Sequence, residues 1–184
     1  MAYFYFDFRN ANKQNRRDLL ASLVAQLSSR SDHCFDKLMR LYLVHDKGAQ
    51  KPHEDALMQC LEEMLTLSHQ HPVYIIVDAL DECPNTSSGM PPPREQVFDL
   101  LKMLVELSLP NIRLCVTSRP DIDIRRALEP LASHRVSLHE ESGQKKDIID
   151  YVTSVVQSDP KMRGWPDEDK NLVVKTLSER ADGM

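Results

Sequence analysis

The chain has 184 residues, of which 41% are hydrophobic and 28% charged, and its formal net charge is −5. This composition is typical of a globular domain and excludes intrinsic disorder, and the acidic balance argues against a broad nucleic-acid surface. No apolar run reaches the ~20 residues that a membrane-spanning helix needs, and residues 1–10 lack the pattern of a signal peptide. We therefore expect a cytoplasmic protein that binds neither nucleic acid nor membrane.

Hydrophobic spacing predicts one strand and then three helices in the first third of the chain. The aromatic-rich residues 2–8 favour a strand, and helical spacing follows at residues 15–29, 32–45 and 54–68. In the second helix, four apolar side chains are predicted to share one face. That face consists of Phe35, Leu38, Met39 and Tyr42.

The next strand is predicted at residues 73–77, which are apolar enough for a strand covered on both faces. The proline-rich residues 84–93 then predict an exposed loop. The later predicted elements are helices at 94–107, 121–128, 145–157 and 167–180 and strands at 112–117 and 135–138. Alternating strands and helices indicate an α/β fold with a parallel sheet flanked by helices. We expect a main domain at 1–140 and a C-terminal helical segment at 141–184.

Three carboxylates follow the strand at 73–77, namely Asp78, Asp81 and Glu82. The carboxyl end of a parallel strand is where α/β folds bind ligands, and Mg²⁺ prefers oxygen ligands such as one or two carboxylates together with phosphates. Asp78 is therefore the candidate metal ligand, and Glu82, with Asp81 beside it, is the candidate for orienting an attacking water. The alternative is that the strand ends in a solvated polar turn.

A second polar group follows the strand at 112–117, where Thr117, Ser118 and Arg119 come in sequence. Arginine suits phosphate because its planar guanidinium donates two hydrogen bonds and stays charged. The two polar groups belong to the same sheet edge, so together they favour a nucleotide-type site. The alternative is an ordinary salt bridge between Arg119 and Asp78 or Asp81.

The four cysteines form no C-x-x-C pair, so neither a zinc site nor a disulfide framework is indicated. Buried free thiols are expected instead. Cys83 is the one cysteine placed to affect the acidic site.

The ordered segments 3–9, 19–23, 73–82 and 114–120 resemble the NACHT domain of STAND-type P-loop NTPases, in particular a fungal branch grouped with the nephrocystin-3-like N-terminal domain. The resemblance implies that residues 73–82 are a Walker B motif, with Asp78 holding Mg²⁺ and the pair Asp81 and Glu82 near the hydrolytic water. It implies that Thr117, Ser118 and Arg119 belong to sensor 1, beside the terminal phosphate of ATP or GTP.

One part of the family pattern is missing from this sequence. None of its five glycines lies in a G-x-x-x-x-G-K-[ST] phosphate loop. The resemblance places that Walker A strand and helix ahead of residue 1, beside the strand at 112–117, so we expect a family member cut at both ends whose sheet has an open edge.

The implied function is a fragment of a nucleotide-dependent signalling switch, with protein partners or self-assembly and little or no ATP or GTP hydrolysis alone. One alternative is a non-catalytic interaction module that pairs through the open sheet edge. A magnesium-dependent hydrolase built on the three carboxylates is the third hypothesis.

Overall fold

The computed structural model describes residues 1–67, 72–86, 91–137 and 142–180. In these ranges it has three strands, β1 (Ala2–Tyr5), β2 (Val73–Asp78) and β3 (Ile112–Val116). The helices of the described ranges are α1 (Arg16–Ser28), α2 (Asp32–Val44), α3 (Glu54–Leu67), α4 (Pro93–Glu106), α5 (Ile122–Leu128), α6 (Ser142–Ser158) and α7 (Asp167–Arg180). The chain forms two compact units, residues 1–132 and 133–184. The predicted α/β fold is confirmed.

The sheet lies in the first unit and has the order β1-β2-β3 with all strands parallel. Ala2 lies opposite Ile75, and Ile75 opposite Leu114. Among the described strands, β3 has β2 as its neighbour on one side and no strand on the other. The carboxyl ends of all three strands meet at one edge of the sheet.

The prediction that β2 is covered on both faces is wrong. Val73, Ile75 and Val77 are buried, whereas Tyr74 between them is about half exposed. The strands follow one another in a single direction across the sheet, and right-handed crossovers then place both connections on the same face. The inner face of the sheet and the helices α1, α3 and α4 accordingly form one hydrophobic core.

The four apolar residues predicted to share one face of α2 are divided between the core and the solvent. Phe35, Met39 and Tyr42 are exposed, whereas Cys34 is fully buried. Leu38 packs against the core together with Leu41. The sequence carries two apolar rows one residue apart, and a step of one residue turns a helix by about 100°. The row that starts at Cys34 faces the core.

The strand predicted at 135–138 is not found in its described part, because residues 135–137 have irregular backbone and Leu138 lies outside the described residues. The Val136 side chain is 74% exposed. In the second unit, α6 and α7 pack against each other. No helix of the described ranges is long and apolar enough to cross a bilayer.

Candidate functional site

The two predicted polar groups converge where β2 and β3 end. The Thr117 hydroxyl donates a hydrogen bond to the Asp78 carboxylate, and it accepts one from the Ala79 N–H at 3.1 Å. The Thr117 N–H in turn donates to the Val77 carbonyl at 2.9 Å. These bonds fix the direction of the hydroxyl and join the two strand ends into one structural unit.

A tight turn follows Asp78 and brings the other two carboxylates to the same edge. Ala79 adopts a left-handed backbone with φ of 53°, and a single 3-10 turn covers Leu80–Glu82. The Leu80 side chain is buried, and its N–H donates to the Thr117 carbonyl at 3.0 Å. The left-handed conformation at Ala79 therefore allows the chain to bury Leu80 while Asp81 and Glu82 still lie near Asp78.

We expect Ala79→Gly to raise the free energy of unfolding by about 1 kcal/mol, because left-handed backbone costs a residue with a Cβ roughly that amount. Ala25→Gly in the exposed part of α1 is the control, and it should lower the free energy of unfolding by about 1 kcal/mol. Urea denaturation of the wild type and the two variants measures whether each substitution raises or lowers the free energy of unfolding. A loss of stability in Ala79→Gly would contradict the described turn.

Asp81 and Arg119 form the second contact between the two strand ends. The Arg119 N–H donates to Asp81 Oδ1 at 3.0 Å, and Arg119 Nε lies 3.3 Å from Asp81 Oδ2. The Asp81 side chain is 14% exposed and that of Arg119 is 83% exposed. The salt bridge between Arg119 and Asp81, which the sequence allowed as an alternative, is thus present. It engages Nε, while the largely exposed guanidinium can also meet a ligand.

Glu82 connects the site to the end of β1. Its Oε2 accepts a hydrogen bond from the Phe8 N–H at 3.2 Å. In the same segment, Asp7 accepts hydrogen bonds from the side chain and backbone of Arg9, which lower the pKa of the Asp7 carboxyl. All three strand ends therefore contribute to one polar edge, where Ser118 is also exposed.

The buried Arg94 side chain supports this edge from the protein interior, and no sequence pattern predicted this role. Its side chain is 8% exposed, and it donates to the Asp81 carbonyl and, through Nε at 2.9 Å, to the Cys83 carbonyl. Its Nη1 also contacts the carboxylates of Asp121 at 3.1 Å and Asp123 at 3.0 Å. Arg94 thereby ties the acidic turn after β2 to the segment after β3.

In sequence, Arg94 is simply a charged residue in the first turn of a helix, a position that usually faces solvent. The spacing of charges gives no direct indication of its burial. The pair Asp121 and Asp123 lies just after Pro120, at the edge where the acidic turn also lies. So many carboxylates at one edge were a weak indication that a cationic side chain lies among them.

Cys83 is a buried thiol that contributes to the same support. Burial raises the pKa of Cys83 to about 12, so the thiol is neutral at physiological pH. Its sulfur donates to the Gln14 carbonyl at 3.4 Å. Burial likewise raises the pKa of Cys60 to about 11, and Cys34 is buried too. Cys115 differs from these three because it is exposed on the open face of the sheet.

An open cleft of about 430 Å³ lies beside the acidic turn. Its lining consists of Phe8, Gln14, Asp81, Glu82, Cys83, Pro84, Asn85, Arg94 and Arg119. Three of the six predicted site residues, Asp81, Glu82 and Arg119, therefore line this cleft.

The donor set of this edge consists of oxygens, which suits a hard cation such as Mg²⁺. In residues 1–67, 72–86, 91–137 and 142–180, no group of three or more His, Cys, Asp or Glu side chains is arranged to hold a metal by itself. Magnesium in nucleotide sites uses one or two carboxylates together with phosphate oxygens, so the Asp78 carboxylate fits the protein's part of that requirement.

The fold and this edge define a class: an α/β protein in which carboxylates, hydroxyls and an arginine meet at the carboxyl ends of parallel strands. Residues 1–119 match the family described as Nephrocystin 3, N-terminal, a range that holds the three strands and the six predicted site residues. The chain therefore belongs to the nephrocystin 3 N-terminal family. Comparisons with curated proteins and with solved structures found no match.

Proposed function

We propose that residues 1–132 belong to a NACHT-type, nucleotide-dependent signalling switch of the fungal branch of the family. The observation that carries the proposal is the double contact between the strand ends, Thr117 with Asp78 and Arg119 with Asp81. It brings carboxylate and hydroxyl oxygens, a type of ligand that suits Mg²⁺, and an arginine, a type of side chain that suits phosphate, to one edge.

In this proposal each residue has a distinct role. Asp78 is the magnesium ligand, and the Thr117 hydroxyl fixes its orientation. Asp81 holds Arg119, whose exposed guanidinium meets the terminal phosphate, with Ser118 beside it. Glu82 lines the cleft and orients the attacking water. When bound, Mg²⁺ neutralises phosphate charge.

The chain by itself is expected to hydrolyse little or no ATP or GTP. In P-loop proteins, backbone amides and a lysine of the G-x-x-x-x-G-K-[ST] loop supply most of the phosphate binding, and this sequence contains no such loop. Nucleotide binding by this chain should therefore be weak and should depend on the metal.

Titration of the chain with a fluorescent ATP analogue and Mg²⁺ tests the proposal. We expect binding in roughly the millimolar range that weakens about tenfold in Asp78→Asn, a difference of about 1.4 kcal/mol. Asp169→Asn changes the charge equally in the exposed first turn of α7 and should leave the affinity unchanged. Equal affinities in wild type and Asp78→Asn, or binding that ignores Mg²⁺, would contradict the proposal.

A second candidate is a non-catalytic interaction module that pairs through the edge of β3. It is favoured by the open edge of that strand, which leaves backbone donors and acceptors available to another chain. Hydrogen exchange separates this function from the first. Pairing predicts that the outward amides of residues 112–117 become protected as protein concentration rises, whereas concentration-independent exchange contradicts it.

A further inference from the structure

Strand β1 ends the sheet on the side opposite β3. In the part of the chain that the structure describes, β2 is its neighbour on one side and no strand lies on the other, which is called the β1 edge. Alternate residues of a strand in a parallel ladder bond to opposite sides. The Phe6 N–H donates to the Asp78 carbonyl at the end of β2 at 3.0 Å. The backbone groups of Tyr3, Tyr5 and Asp7 therefore face the β1 edge.

A glutamine side chain occupies the β1 edge at Tyr3. The Tyr3 N–H donates to Oε1 of Gln26 at 3.0 Å, and Nε2 of Gln26 donates to the Tyr3 carbonyl at 2.6 Å. A side-chain amide carries the same kinds of donor and acceptor as a peptide group. The Gln26 amide therefore makes the two hydrogen bonds at Tyr3 that an added strand would make there.

The Gln26 amide is held in this orientation by its own helix. Its Nε2 also donates to the Ser22 hydroxyl, one turn earlier on α1, at 2.9 Å. Both hydrogens of the amide nitrogen are then used. Leu23 and Leu27 of the same helix are buried in the core on either side of Gln26 in the sequence. Gln26 therefore reaches the β1 edge from a firmly packed helix.

The β1 edge is also occupied at Asp7. The Asp7 N–H donates to the Lys13 carbonyl at 3.1 Å, and the Asp7 carbonyl accepts from Nε2 of Gln14 at 3.3 Å. Between these two occupied positions, the Lys13 ammonium lies over the Tyr5 ring. An added strand needs a run of outward backbone groups, and those of Tyr3 and Asp7 already have partners. A lysine beside an edge strand also disfavours pairing.

The composition of β1 explains why its edge needs to be closed. The strand reads Ala-Tyr-Phe-Tyr and carries no charge, and its Tyr3 and Tyr5 side chains are 52% and 46% exposed. Uncharged strands rich in aromatic residues pair readily with other chains when their edges are accessible. The side-chain amide thus lies on a strand that is otherwise suited to self-association.

We propose that Gln26 closes the β1 edge and thereby prevents β1 of a second copy of this chain from pairing with it. The Gln26 amide takes the place of the partner strand at Tyr3, and a second copy must displace it before a ladder can form. The proposal concerns β1 alone. It is independent of the nucleotide site and of any pairing along β3.

Gln26→Met tests the proposal, because methionine keeps the length of the side chain and the helix propensity but lacks the amide. Amide hydrogen exchange is followed by nuclear magnetic resonance over a range of concentrations. At low concentration, the Tyr3 N–H of the variant should exchange roughly tenfold faster than in the wild type. At high concentration, the variant should self-associate and its Tyr3 and Tyr5 amides should regain protection. In the wild type, the protection of both amides should be independent of concentration.

Three further variants separate an open edge from other causes of association. Gln59→Met makes the same substitution on the exposed surface of α3, where the Gln59 amide bonds to Glu63 of the same helix, and it should not associate. Gln26→Ala removes the amide without adding a long apolar side chain, and it should behave like Gln26→Met. Gln26→Glu also removes the donor to the Tyr3 carbonyl, but it places a charge at the edge and should not associate. Circular dichroism verifies that the variants are folded.

Several results would overturn the proposal. One is an unchanged exchange rate of the Tyr3 N–H in Gln26→Met, and another is faster exchange without association at any concentration. Association of Gln26→Glu to the same extent as Gln26→Met would also overturn it, because lost stability and not an open edge would then be the cause. The same holds for a wild-type chain whose Tyr3 and Tyr5 amides become protected as concentration rises.

Discussion

Arg94→Met is expected to lower the free energy of unfolding by about 2–5 kcal/mol, because two backbone carbonyls lose their donor at a cost of about 1–3 kcal/mol each. The substitution leaves the carbonyls of Asp81 and Cys83 without their donor and places the carboxylates of Asp121 and Asp123 side by side without a cation. Urea denaturation followed by circular dichroism measures the change.

Arg125→Met is the matched control for this prediction. Arg125 pairs with Glu129 on the surface of α5, and an exposed pair of this type contributes about 0.3–0.5 kcal/mol. If Arg94→Met does not fold, Arg94→Lys remains informative, because lysine keeps the charge but cannot reach all four acceptors, and an intermediate loss is expected. An Arg94→Met loss as small as that of Arg125→Met would show that Arg94 does not support the acidic turn.

Phe6→Ala is expected to destabilise the domain by about 3–5 kcal/mol, the usual cost of truncating a buried phenylalanine. Phe6 follows β1 and is 2% exposed, its ring packs edge-on against Phe4 at 5.0 Å, and its N–H donates to the Asp78 carbonyl at 3.0 Å. The substitution removes packing directly behind the site. Thermal or urea unfolding measures the loss.

Phe8→Ala provides the control on the same segment. Phe8 is 66% exposed, so its truncation should cost less than about 0.5 kcal/mol. If Phe6→Ala cannot be purified folded, Phe6→Leu should still cost more than Phe8→Ala. Similar losses at the two positions would mean that the segment after β1 packs differently from the described structure.

Much of the fold could be predicted from the sequence because the strands and most helices carry strong periodic patterns. The apolar run before Asp78 predicted β2, and the leucine spacing predicted α1 and α3. The open outer face of the sheet could not be predicted in this way, because the exposed Tyr74 and the buried Ile75 are both hydrophobic. Which face is covered depends on where the crossovers lie, and that is a property of the topology.

The same limit applies to α2. Two apolar rows run side by side on this helix, and periodicity alone does not decide which of them packs. The core selected the row of Cys34 and Leu38, leaving Met39 at the surface. In such a case the hydrophobic pattern predicts the helix but not its rotation.

The candidate site was predicted through the strand ends, which topology brings together whenever the strands are parallel and adjacent. Asp78 and Thr117, and likewise Asp81 and Arg119, are in contact. Arg94 could not be predicted, because its partners include two backbone carbonyls and those depend on the path of the turn. Residues that hold a site in place through main-chain contacts are therefore hard to recognise from a sequence pattern.

The most direct test of the proposed nucleotide site is nuclear magnetic resonance of the isotope-labelled chain with substoichiometric Mn²⁺ and ATP. Mn²⁺ replaces Mg²⁺ at oxygen sites and broadens nearby amide signals even when binding is weak. We expect the amides of Ala79, Ser118 and Arg119 to broaden first, and Asp78→Asn to abolish the effect. Uniform broadening, or broadening centred on another acidic surface and unchanged in Asp78→Asn, would contradict a magnesium–nucleotide site at these strand ends.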